Sequence, residues 1–166
     1  MPRGTLTQIY IAPDAGAPME SVGAVRAVPG RGLEGDRYFK GKGSFSRWEG
    51  PRREVTLIAA EALEEMEAET GLHLDPADSR RNLLTRGVPL NDLVRTDFRI
   101  GDVWMRGVRL CQPCTRLVRL TGKPDALLQA LVDRGGLRAE ICTEGVLRVG
   151  DPVHVPDSAT GARRLP

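Results

Sequence analysis

Polar and apolar residues alternate along several short stretches of the chain. Residues 5–12, TLTQIYIA, set Leu6, Gln8 and Tyr10 against Thr7, Ile9 and Ile11. A period of two in β-rich residues predicts a strand that ends at Pro13. DAGAP (14–18) carries turn residues. MESVGAVRAVP (19–29) sets Val22, Ala24, Arg26 and Val28 against Val25 and Ala27 and predicts a second strand. EVTLI (54–58) predicts a third. The period then changes. In AAEALEEMEAETG (59–71), Ala59, Ala62, Leu63 and Met66 share one side and glutamates the other, which predicts an amphipathic helix closed by Gly71.

Further on, RRNLLT (80–85) predicts a buried strand, PLNDLV (89–94) one helical turn, and FRIGDVWMRGVRLC (98–111) two strands joined by a Gly-containing turn. TRLVRLTG (115–122) is a weak helix opening. KPDALLQALVDRGG (123–136) predicts a second helix, with Pro124 near its start and a Gly-Gly stop. LRAEICTEGVLRVGDPVHV (137–155) predicts two or three strands. Residues 30–53 form a long Gly- and Arg-rich loop, in which Leu33, Tyr38, Phe39, Phe45 and Trp48 argue against plain disorder.

Many short strands with two inserted helices predict a mainly β, α+β domain with a β-barrel-like sheet, not a doubly wound one. The length of 166 residues fits one domain. Its expected span is 1–156, with 157–166 a frayed tail.

Composition narrows the function. The net charge is +2, and aromatics make up 4% of the chain. That is too few for a platform on which single-stranded nucleic acid would stack, so no nucleic-acid partner is expected. No apolar run approaches the roughly 20 residues needed to span a bilayer, and the N-terminus has no secretion signal. No membrane is expected, and three cysteines point to free thiols in a reducing cytoplasm. Of 24 basic residues only Lys40, Lys42 and Lys123 are lysine. Arginine binds carboxylate and phosphate through two-pronged contacts.

Three segments carry candidate chemistry. In RLCQPCTRL (109–117), Cys111 and Cys114 form a C-x-x-C. Structural zinc needs four ligands, and Cys142, His73 and His154 are scattered singly, so zinc is not expected. A redox pair would open a helix after a strand. Buried inert sulfur is the default. The remaining reading is a thiolate that binds a soft metal or carries sulfur, favoured by Arg109, Arg116 and Arg119 nearby. GRGLEGDR (30–37), ending in Asp36 and Arg37, lacks the P-loop lysine, although its amides could cradle an anion. SRRNLLTRG (79–87) offers Arg80, Arg81 and Asn82, two guanidinium forks and an amide suited to phosphate and heterocycle edges.

Taken together, GLEGDRY (32–38), EVTLIAAEALE (54–64), RRNLLTRGVPLNDLV (80–94), FRIGDVWMRGVRLCQPCTRL (98–117), RGGLRAEI (134–141) and LRVGDPV (147–153) resemble the MOSC family. That domain is also found at the C-terminus of molybdenum-cofactor sulfurases. The resemblance implies a β-barrel-like fold and places the family's signature cysteine at Cys114. Larger members that reduce N-hydroxylated compounds use this cysteine as a molybdenum ligand. In sulfurase-linked members it has been proposed to carry sulfur as a persulfide. The family's R-x-N element matches Arg80 and Asn82, with Arg81 between them. Asp36 and Arg37 carry the Gly-rich family motif and would face the same pocket.

The resemblance therefore implies an enzyme that binds the molybdenum cofactor and reduces N-oxygenated small molecules, with electrons from a separate flavin or iron–sulfur protein. Its alternative is a sulfur carrier that exchanges persulfide with donor and acceptor proteins. Pyridoxal phosphate would enter only through a partner sulfurase, because the three lysines lack the context for it. The chain is read as starting at the family's first strand, without the N-terminal module of larger members. A homodimer stays open.

Overall fold

The computed structural model describes residues 2–39, 54–113 and 115–156. β1 (Pro2–Ile11) is the longest strand, and both Leu6 and Ile9 are fully buried. Strict alternation would send residues three apart to opposite faces. The pairing of β1 with β6 (Leu83–Arg86) shifts register between Leu6 and Gln8. This irregularity turns both side chains inward.

Seven strands close on themselves in the order β11 (Pro152–His154), β7 (Asp97–Ile100), β8 (Val103–Leu110), β9 (Leu137–Ile141), β5 (Val55–Ala59), β6, β1 and back to β11. Closure rests on antiparallel pairing of Pro2 with His154 and Thr5 with Pro152. β2 (Glu20–Val22) adds to the second half of β1. A separate small sheet has the order β10 (Gly145–Arg148), β3 (Ala24–Val28), β4 (Gly32–Leu33). Its Val25, Ala27, Leu33 and Leu147 join Leu57, Phe98, Ile100, Met105 and Leu137 in the main core.

β5 and β6 pair in parallel, linked through α1 (Ala60–Thr70). Both faces of this pair are covered, as parallel strands require. Leu57 and Leu83 face the main core. Ile58 and Leu84 face a second core with Leu63 and Met66 of α1, Leu117 of α2 (Thr115–Thr121) and Leu127 of α3 (Ala126–Ala130). Gly71 ends α1 at φ 74°, its N–H bonded to the Glu67 carbonyl at 2.8 Å.

The mainly β, barrel-like expectation matches this architecture. Four details differ. The stretch 19–29 is two strands, because the chain leaves one sheet for the other at Gly23. Strand 80–85 begins only at Leu83, after a 3₁₀ turn over Pro76–Ser79. Residues 115–121 are helical, because Leu117 buries in the second core. The helix expected over 123–136 shrinks to Ala126–Ala130. Its C-terminal part is a turn through Asp133 at φ 61° that brings Gly135 and Gly136 against the backbone of Cys111 and Leu57. Residues 40–53, including Lys40, Lys42, Phe45 and Trp48, lie outside the described residues, as do Cys114 and the 157–166 tail. No helix among the described residues is long and apolar enough to cross a membrane.

Candidate anion-binding site

Asp36 and Arg37 follow the small sheet directly and are buried, at 0% and 6% exposure. Asp36 Oδ1 accepts from the Ala12 N–H at 3.0 Å and from Arg37 Nη1 at 3.1 Å. Its Oδ2 accepts from the Tyr38 N–H at 3.4 Å. The carboxylate therefore pins the turn after β4 to the end of β1. Arg37 lies over the Tyr38 ring, its guanidinium carbon 4.9 Å from the centroid. Among the described residues its other hydrogen bonds go to neutral acceptors: Nη1 to Met19 Sδ at 3.3 Å and Nη2 to the Arg80 carbonyl at 3.4 Å.

Arg80 ends the Pro76–Ser79 turn in the left-handed region, at φ 66°. This conformation is unfavourable for a residue that carries a Cβ. The Arg80 side chain reaches the carbonyl of Ala17, which Nη1 bonds. Burial holds the Arg80 guanidinium below its ordinary pKa, and the charges of Arg37 and Arg116 push the same way, against Asp36 and Tyr38. Arg116 projects from the first turn of α2 toward the same backbone. A Cβ built on Gly16 would lie 3.5 Å from Arg116 Nη2. Three guanidiniums thus converge on the turn 16–19.

Asn82 and Arg81 stand beside this cluster but are engaged elsewhere. Asn82 is 1% exposed. Its Oδ1 accepts from the Thr56 N–H at 3.1 Å and from Thr56 Oγ1 at 3.2 Å, and its Nδ2 donates to the Tyr10 carbonyl at 3.0 Å. The amide ties β5, the start of β6 and β1 together. Arg81 Nε donates to the Gly135 carbonyl at 2.8 Å.

That carbonyl belongs to the turn that seats the C-x-x-C segment. The Cys111 N–H donates to the Gly136 carbonyl at 2.8 Å, and a Cβ on Gly135 would meet the Cys111 carbonyl oxygen. Gly135 is required by this close approach. Gln112 is bonded to Asp133, and Asn91 Nδ2 donates to the Asp133 carbonyl at 2.9 Å. Cys111 is 6% exposed. Cys142 sits away from the cluster, paired by its backbone N–H with Trp104. Burial raises its thiol pKa to about 11, with Asp97, Glu140 and Glu54 adding to the effect.

The family resemblance implied one pocket for Asp36, Arg37, Arg80, Arg81, Asn82 and Cys114; Asp36, Arg37 and Arg80 lie together, the Arg81 and Asn82 side chains are bonded elsewhere, and Cys114 lies outside the described residues. The sequence marked Arg116 only as a flank of the cysteines. A helix starting at Thr115 is the signal that would have aimed Arg116 inward. Among the described residues no three His, Cys, Asp or Glu side chains gather as a metal site.

A closed seven-stranded barrel with a small accessory sheet defines a small β-barrel domain, here with a guanidinium cluster at one end of β1. The MOSC domain family model matches residues 46–154, and the chain belongs to that family. Solved structures share the fold. The YUAD protein from Bacillus subtilis superposes with a TM-score of 0.77 at 17% identity, over 93% of this chain and 97% of that one. YiiM from Geobacillus stearothermophilus gives 0.69 at 18% identity, over 96% and 78%. YiiM from Escherichia coli gives 0.69 at 20% identity, over 97% and 73%. Among curated proteins none matches the sequence.

Proposed function

We propose that this protein binds the molybdenum cofactor and acts as a reductase of N-hydroxylated or otherwise N-oxygenated compounds, with the Cys114 thiolate as the protein's ligand to molybdenum. The observation that supports it most is the meeting of Arg37 and Arg80, with one ion-paired carboxylate, Asp36, among the described residues. Among the described residues, their donors beyond that pair go to two carbonyls and a thioether. Neutral acceptors of this kind bind a guanidinium less strongly than a phosphate does. The residues present therefore fit a ligand that brings its own anionic group.

Bound there, the cofactor would supply two-electron chemistry at a soft-ligated metal. Arg80 and Arg37 would hold its phosphate by charge-assisted hydrogen bonds. Asp36 would keep Arg37 oriented through its 3.1 Å contact. Arg81 would act indirectly, fixing the 133–136 turn on which the backbone of Cys111 rests. Asn82 would hold the strand that leads out of the site. Electrons would come from a separate flavin or iron–sulfur protein in the cytoplasm.

The test is elemental analysis of protein purified from a molybdenum-replete host, wild type beside Cys114→Ala and Arg80→Ala. Near-stoichiometric molybdenum in wild type, lost in both variants, is the expected result. Molybdenum retained by Cys114→Ala sinks the ligand assignment. A folded wild type without molybdenum, gaining about 32 Da on Cys114 from a desulfurase and cysteine, would replace this reading with the sulfur carrier.

A further inference from the structure

The chain has four methionines, Met1, Met19, Met66 and Met105. Met105 is fully buried in the main core and Met66 in the second. Met1 lies outside the described residues. Met19 belongs to neither core and is half-buried, at the end of the turn that leads into β2. Its Sδ accepts a hydrogen bond from Arg37 Nη1 at 3.3 Å. That donor is held in place, because Arg37 is buried and the same Nη1 bonds Asp36 Oδ1 at 3.1 Å. Arg80 bonds the Ala17 carbonyl of the same turn. Sulfur is a weak acceptor, so a charged, oriented donor is matched here with a poor partner. An oxidisable sulfur, access from solvent and a strong donor thus coincide at one residue.

We propose that Met19 is a modification site: a peroxide converts it to methionine sulfoxide, and Arg37 captures the new oxygen, so that oxidation tightens the 16–19 turn. With hydrogen peroxide, a sulfur lone pair attacks one peroxide oxygen. The O–O bond breaks and the S–O bond forms. The proton of the transferred hydroxyl passes to the departing one, which leaves as water. Sulfur gives up two electrons, and they reduce the peroxide. The sulfoxide is polar, and a guanidinium bond to its oxygen is charge-assisted. Methionine has three rotatable bonds, so the oxygen can turn toward Nη1 while the backbone stays where it is. Oxidation of a methionine packed in a core disrupts the core. Met19 leaves no core and gains a charged donor, so the opposite sign is expected. Methionine sulfoxide reductases reverse the change, which makes the turn a reversible redox latch. The inference concerns the turn alone and does not depend on the cofactor reading.

The experiment treats native protein with hydrogen peroxide, then with dithiothreitol to restore oxidised thiols, and reads peptide masses and thermal midpoints. Wild type is compared with Met19→Leu and Met19→Gln. Expected is a gain of about 16 Da on Met19, one oxygen atom, with Met66 and Met105 unmodified until the protein is unfolded in urea. Oxidised wild type should melt about 2–4 °C above untreated wild type, the shift that one ordinary hydrogen bond gives a domain of this size. Treated and untreated Met19→Leu should coincide. Met19→Gln, which offers a carboxamide oxygen to Arg37, should melt above Met19→Leu without any peroxide. Met19 left unmodified by a treatment that oxidises a free methionine peptide overturns the modification site. Sulfoxide at Met19 with a midpoint unchanged or lowered overturns its capture by Arg37.

Discussion

Gln112 and Asp133 bond each other twice: Gln112 Nε2 donates to Asp133 Oδ1 at 2.9 Å, and the Asp133 N–H donates to Gln112 Oε1 at 3.1 Å. This pair fastens the middle of the C-x-x-C segment to the turn before β9. Asp133 sits at φ 61°, where Asn and Gly are tolerated and Ala is not. Asp133→Ala is expected to cost about 1 to 2 kcal/mol in urea unfolding, from the lost Gln112 Nε2 bond and the strained backbone together. Asp133→Gly loses the same side chain but relieves the strain, so it should cost less than Asp133→Ala. Equal losses in the two variants would show that the backbone conformation carries no strain.

The Asn82 amide predicts a structural phenotype. Asn82→Ala strands the Thr56 N–H and the Tyr10 carbonyl in a buried setting. Leaving buried polar groups unpaired costs about 1–3 kcal/mol, so the urea midpoint should fall clearly while the slope stays constant. Asn82→Asp keeps the acceptor but loses the donor to Tyr10, and should be destabilised as well. A midpoint unchanged in Asn82→Ala would disprove the clip.

Glu54 predicts a pH dependence. It is 3% exposed, and its Oε1 accepts from the Gly30 N–H at 2.7 Å and the Ile141 N–H at 3.2 Å. Burial raises its carboxyl pKa from the ordinary 4.5 to about 7, outweighing the two backbone donors, and Glu140 adds to the rise. Between those values the folded protein keeps a proton that the unfolded chain releases. Stability from this group is therefore greatest at low pH and declines as pH rises from 4.5 to about 7, then levels. Glu54→Gln retains the acceptor and removes the titration. Thermal midpoints across this window should flatten in Glu54→Gln relative to wild type. Parallel pH curves for the two proteins would refute the assignment.

Thiol labelling separates the cysteines. With a thiol pKa of about 11, Cys142 is almost wholly protonated at pH 8. Reaction needs the thiolate, so Cys142 should label on the order of a hundredfold slower than a free cysteine. Cys111, buried at 6% exposure, should be slow by access. Iodoacetamide followed by peptide mass spectrometry should find both unmodified in the native protein after minutes, and all three cysteines modified in urea. Rapid native labelling of Cys142 would contradict the burial of its sulfur.

Elements whose signal is local could be read from the chain. The change from period two to an amphipathic turn at Ala59–Ala60 announces β5 and α1, and Gly71 closes the helix where expected. β7 and β8 follow from the Gly-Asp turn at 101–102. What was not legible depends on partners distant in sequence. The inward Ile9 depends on a register shift against β6, and the short α3 depends on Gly135 and Gly136 reaching strand backbones. At the site, residue types gave the chemistry of Asp36, Arg37 and Arg80. They could not show that the Asn82 amide is taken by Thr56 and Tyr10, which are 26 and 72 residues away. Nor could they show Arg116 turned toward Gly16. The role of Cys114 rests on family resemblance, since that residue lies outside the described ones.

The closure of the barrel has a consequence for synthesis. β1 pairs with β6 along one edge; the other edge is shared by β2 at Ile9–Ile11 and by β11 at Pro2–Thr5. The first strand made therefore waits for the last. At translation rates of about 5–20 residues per second, the edge at Pro2–Thr5 goes uncovered for roughly 8 to 30 s on the ribosome. During that interval the nascent chain presents unpaired backbone groups that another chain could capture. A folding helper that shields strand edges would matter most in this window, before His154 emerges and the ring can shut.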